Sequence, residues 1–129
     1  TGLSLYKFGR IVSIPFHEAE SFFDDILMNY KNGLHTLILL DLDPMNNKYL
    51  GIKDALKRIL ELEKKKNVKI LTDDKKIIIC SNLGRDNEKI FYISVKDALN
   101  LDVDPPACII IPGGLSEIEE EILRCMTNC

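Results

Sequence analysis

The chain has no apolar run approaching the roughly 20 residues that a membrane-spanning helix requires, so a membrane is not expected as its site of action. No basic-then-apolar leader with a small-residue cleavage site opens it, and a secretory route has no support. Positive charge is not in excess: 17 lysines and arginines stand against 20 acids, for a formal net charge of −3. A nucleic-acid backbone asks for a clustered positive field, so no nucleic-acid partner is expected. The lysines at 64–66 read instead as a helix C terminus whose cations complement the dipole. There is neither a G-x-G-x-x-G nor a G-x-x-x-x-G-K-[ST] motif, which removes the dinucleotide and P-loop fingerprints. Internal repeats and low-complexity segments are also missing.

Cysteine is present, but not as the framework of a disulfide scaffold. Cys80 and Cys108 each lie in an apolar, strand-like run and read as small hydrophobes. Cys125 and Cys129 are four residues apart near the end of a helical pattern, which could put two sulfurs on one face. A zinc site would need two more ligands, and neither imidazole, His17 or His35, is near them in sequence. No metal is expected, and a reduced, cytoplasmic protein fits this cysteine usage.

What the chain does contain suits one domain: 129 residues, 46 % apolar and 29 % charged. Residues 11–16 (IVSIPF) read as a strand that Pro15 stops or places at a sheet edge. Phe22, Phe23, Ile26, Leu27 and Tyr30 mark an amphipathic helix opened at Glu20-Ser21 and closed by Asn32-Gly33. Residues 35–42 form a continuous apolar run, long enough for a buried strand and too short for a helix. Pro44 ends it, and Asn46-Asn47 marks a loop. Ile52, Ala55, Leu56, Ile59, Leu60 and Leu62 give a second helix. Strands are expected over 76–80, 89–95 and 107–111, with a short helix at 95–101 and a loop over 81–87. Ser116 with Glu119 makes a capping-box pattern for a last helix carrying Ile118, Ile122, Leu123 and Met126. Strands alternating with helices, three of the strands apolar throughout, predict an α/β fold: a mixed sheet of about five strands with helices on both faces.

In open α/β sheets ligands gather beyond strand C termini, so three strand ends are candidate sites: residues 40–43, 81–85 and 112–114. Asp41 and Asp43 could act as a carboxylate pair or ligate a hard cation; at i and i+2 before a proline they also read as plain strand-end acids. Pro112-Gly113-Gly114 before Ser116 could present backbone N–H groups to an anion, or simply turn the strand into the helix. His35 lacks an obvious acid or nucleophile partner, which fits a satisfied strand-start histidine better than a general base. No catalytic constellation emerges, and the catalytic residues stay unassigned.

Four stretches taken in order carry more information: TGLSLYKFGRIVSIPF, ESFFDDILMNYKNGLHTLILLDLD, LTDDKKIIICSNLG and DPPACIIIPGGLSEIEEEIL. Together they resemble the diphthine synthase family, whose usual stretches are close to TGL-x-x-Y-x-FG, S-[FY]-[FY]-D, GLHTL-x-x-LDI, TDD and DPPH-x-[LI]-I-[VI]-[PT]-G. The GLHTL…LD block is the most specific piece. The resemblance implies a tetrapyrrole-methylase-like C-terminal domain, residues 1–129, forming half of a two-domain S-adenosylmethionine-dependent methyltransferase. The N-terminal half of the family pattern, which carries its glycine-rich cofactor loops, has no counterpart in this sequence. Also implied are elongation factor 2 as protein substrate, methylated on the amino group of a modified histidine in diphthamide biosynthesis, and a homodimer. The family's cofactor contacts in this half match Leu40, Leu83 and Ala107. The sequence departs from the pattern in three places: Ser81-Asn82-Leu83-Gly84 stands for the usual alanine-arginine-alanine-glycine, Ala107 for the usual histidine, and the loop after the second strand is shorter. The rival readings are a related tetrapyrrole or ribosomal-RNA methyltransferase and a non-enzymatic α/β binding or dimerisation module.

Overall fold

A computed structural model describes residues 3, 7–72, 74–82, 86–103, 105–113 and 117–128. The main sheet is built from β1 (Val12–Ile14), β2 (Thr36–Leu40), β5 (Lys76–Ser81), β6 (Lys89–Ser94) and β7 (Ala107–Ile111), in the spatial order β1-β2-β7-β5-β6. Around it lie α1 (Ser21–Lys31), α2 (Ile52–Lys66), α3 (Val95–Ala98) and α4 (Glu117–Asn128). β1 runs parallel to β2, and the remaining neighbours pair antiparallel, so the sheet is mixed as expected. β1 is an edge strand that stops at Ile14, one residue before Pro15, where a missing N–H costs no ladder bond.

Period-2 alternation divides the strands between two cores. One face carries the cross-strand row Val12, Ile38, Ile109, Ile79, packed with Phe22, Phe23 and Ile26 of α1 and with α2 and α3. The other carries Leu37, Ile110, Ile78 and Tyr92, capped by Leu123 of α4. Helices therefore lie on both faces, three against one. Each fully buried isoleucine in these rows contributes about 2 kcal/mol.

The helix ends follow their sequence signals. α1 closes through Asn32 into Gly33, whose φ of 69° is the left-handed conformation that glycine adopts without strain. α2 ends at Asn67 with Lys64, Lys65 and Lys66 in its last turn. Buried Glu63 accepts the Ile70 and Leu71 N–H groups at 2.9 and 2.6 Å, which seats the chain returning to β5. Burial raises its carboxyl pKa, and those two bonds oppose the rise. Ser94 caps α3 by accepting the Asp97 N–H.

One segment differs from expectation. The stretch read as a loop around Asn46-Asn47 is a small hairpin, β3 (Leu42–Asp43) and β4 (Lys48–Tyr49), joined by a 3-10 turn over Pro44–Asn46. Its strands are two residues each and mostly exposed, too short to carry a period-2 signal. Among the described residues no helix is long and apolar enough to cross a membrane.

Candidate functional site: an apolar cleft at one end of the sheet

Strand direction decides which of the three predicted strand ends can meet. β7 runs antiparallel to both β2 and β5, with Leu39 opposite Cys108 and Ser81 opposite Ala107. Its first residue, Ala107, therefore lies at the end where β1, β2 and β5 finish. Leu40 and Ala107 come together there, on the walls of a cleft of about 650 Å³. Leu83 lies outside the described residues. Pro112 and Gly113, at the C terminus of β7, are at the opposite end of the sheet. Of the three candidate strand ends, this antiparallel pairing sets the third apart from the cleft.

The cleft opens on the thinly covered face. Next to the row sealed by α4 runs another: Ser13, Leu39, Cys108, Cys80 and Ile90. Ser13 is exposed, and Leu39 leaves 43 % of its surface open, unusual for a central strand. Leu39, Leu42, Pro106 and Ala107 line the cleft with apolar atoms, and Ser13 and Asp41 stand at its rim. The family resemblance pointed to Leu40 and Ala107 but not to Leu39, Pro106 or the cysteines. The cross-strand register brings those residues in, and spacing along one chain does not carry it.

The rim acid is already occupied. Asp41 accepts the Phe16 N–H with Oδ2 at 3.2 Å and the Leu42 N–H with Oδ1 at 3.0 Å. Asp43 instead accepts the Asn46 side-chain amide at 2.7 Å, inside the hairpin. The two carboxylates hold separate turns and do not converge as an acid–base pair.

His35 sits at the other end and is fully buried. Its Nδ1 accepts the Gly113 N–H at 2.8 Å, so that nitrogen carries no proton, and Nε2 donates to Glu119 at 3.1 Å. Glu119 also takes Lys7 Nζ at 2.9 Å, and the Phe8 ring meets the imidazole edge-on at 5.3 Å. This histidine is a tie between β2, β7, α4 and the N-terminal segment, far from the cleft. The Gly113 N–H, donated to His35, is not offered to an anion. Gly114, Ser116 and Cys129 lie outside the described residues, and Cys125 is exposed.

No protein-family model matches the chain. Among curated proteins it is 40 % identical over 131 residues to the diphthine synthase of Methanocaldococcus jannaschii, and 36 % identical over 129 residues to that of Methanococcus maripaludis. Each alignment takes in 96 % of this chain and 51 % of the relative, so the chain spans about half the length of the curated relatives it matches. A crystal structure from Entamoeba histolytica, provisionally assigned as a diphthine synthase, superposes with a TM-score of 0.88 at 28 % identity. It covers 97 % of this chain and 53 % of its own, which gives the tetrapyrrole-methylase fold expected from the sequence.

Proposed function

We propose, for a chain that is homologous to diphthine synthases over about half their length, that it forms one wall of an S-adenosylmethionine site and serves methyl transfer in diphthamide biosynthesis. The observation that carries this reading is the apolar cleft where β1, β2 and β5 end and β7 begins. Its volume falls within the range typical of small-molecule sites. Leu39 and Leu42 suit the face of an adenine, and backbone groups at the strand ends, those of Leu40 and Ala107 among them, suit its polar edge. The residues thus fit the cofactor, which when bound supplies an electrophilic methyl group.

What this chain contributes is binding, orientation and exclusion of water. With both Asp41 oxygens engaged by backbone N–H groups, the cleft offers alignment of an uncharged amine rather than proton removal. In this reading the chain is the C-terminal half of the enzyme and an N-terminal half supplies the facing wall. Elongation factor 2, through the amino group of its modified histidine, is the acceptor; the enzyme is a cytoplasmic homodimer. Leu83 joins Leu40 and Ala107 as a cofactor contact by the same family pattern.

Calorimetry of S-adenosylmethionine binding to the full-length protein tests the site, with Leu39→Glu as the variant that fills the cleft with charge. Weakening by about tenfold or more is expected, an effect of about 1.4 kcal/mol. Methyl transfer to elongation factor 2 carrying the unmethylated intermediate, and none to the unmodified factor, tests the substrate. A folded protein that binds no cofactor overturns the enzymatic reading in favour of a binding module.

A further inference from the structure

Cys80 and Cys108 were read from sequence as unrelated hydrophobes. The sheet makes them direct cross-strand partners on the face of the cleft, and both line it. The Asn82 N–H donates to the Pro106 carbonyl two residues further along the same ladder, at 3.0 Å. Hydrogen-bonded and non-bonded pairs alternate along an antiparallel ladder, so Cys80 and Cys108 occupy a hydrogen-bonded pair, with α-carbons about 5.5 Å apart. Disulfides favour α-carbon separations of roughly 5.5–6 Å but bring β-carbons to about 3.5–4.5 Å, closer than a hydrogen-bonded pair holds them, so the bond would close with strain and be readily reduced. Both thiols are free, Cys80 buried and Cys108 partly exposed.

We propose that Cys80 and Cys108 form a two-thiol modification site in the wall of the cleft, which takes low-molecular-weight disulfides and closes to a cross-strand disulfide. The Cys108 thiolate attacks one sulfur of the incoming disulfide, forming a mixed disulfide and expelling one thiolate. Cys80 then gives up its proton and attacks the Cys108 sulfur, expelling the second thiol. The protein pair loses two electrons and two protons, and the reagent leaves as two thiols. The order is set by access: Cys108 is partly exposed in the cleft wall, whereas Cys80 is buried, and burial helps to push its thiol pKa up.

Any occupant of the cleft covers the approach to Cys108, and a mixed disulfide there excludes the occupant by the same amount, since coupling is reciprocal. This coupling rests on the methyltransferase reading; the thiol pair itself does not. The test is to treat the reduced full-length protein with oxidised glutathione, alkylate remaining thiols and map the peptides. A Cys80–Cys108 linked peptide is expected from the native protein, stable glutathione on Cys108 from Cys80→Ser, and an unmodified Cys80 from Cys108→Ser. Both cysteines recovered alkylated from the native protein, or glutathione found first on Cys80, overturns the proposal.

S-adenosylmethionine at about 100 times its Kd should slow the reaction about 100-fold. An unchanged rate with cofactor demonstrably bound overturns the coupling and leaves the methyltransferase reading standing. Absence of cofactor binding to the reduced protein overturns that reading, and the coupling with it, while the peptide map still decides the thiol pair.

Discussion

The two ends of the sheet are made from the same apolar strands and are finished in opposite ways. At the closed end His35, Gly113, Glu119 and Lys7 join β2, β7, α4 and the N-terminal segment through bonds of 2.8, 3.1 and 2.9 Å, with the imidazole wholly out of solvent. At the open end the strands stop against a cleft, and the rim acid Asp41 holds backbone N–H groups of the adjoining turns. Buried polar groups are costly unless fully partnered, so the closed end reads as stability. An open apolar concavity has no such use, and it is where a ligand gains most. The histidine, the residue type most readily nominated for chemistry, lies at the end without the cleft.

The comparison breaks if His35→Ala is mild. That change empties a fully buried site, strands the Gly113 N–H and takes one partner from Glu119, so a loss of about 4 kcal/mol is expected by denaturant titration. Gly113→Ala comes next. A β-carbon there would lie 2.6 Å from the Gly33 carbonyl carbon and 2.7 Å from that of Leu34, both backbone atoms with little room to yield. A loss of about 3 kcal/mol is expected. Leu39→Ala at the open end should cost less than about 1 kcal/mol of stability, because the side chain is 43 % exposed and lies over the cleft. Its effect should appear in cofactor affinity instead, and losses of similar size at the two ends would dissolve the distinction between them.

The main strands and helices were legible because each carries a local signal, which the two-residue strands of the hairpin lack. The isoleucine runs of β5 and β7 cannot be helices at their length, and the helices have their apolar spacing with Asn32-Gly33 or the 64–66 lysines at the ends. What was not legible is whatever depends on strand direction. Pro112-Gly113 read as a candidate strand end like that at Leu40, and the antiparallel run of β7 sends it to the far end. Glu119 looked like a helix-capping partner of Ser116, but its side chain reaches His35, 84 residues away in sequence. The Ser116 side of that pattern falls outside the described residues. Cys80 and Cys108 became a pair only through a register that no single-strand periodicity encodes.

Asp41→Asn makes the smallest change and draws the sharpest line through the open end. The amide keeps one acceptor for the Leu42 or Phe16 N–H and turns an NH₂ group toward the other. Because the site is exposed, the stability loss should be only about 0.5 kcal/mol. If Asp41 serves only to hold the turn after β2, methyl transfer should fall by no more than a few fold, with cofactor affinity hardly moved. If it removed the proton of the acceptor amine, the rate would drop about 10²–10⁴-fold at unchanged affinity, and the loss would ease at high pH as the amine deprotonates without help. The structure predicts the first outcome: each oxygen of Asp41 holds a backbone N–H of the turn, so the open end works by shape and by what it keeps out.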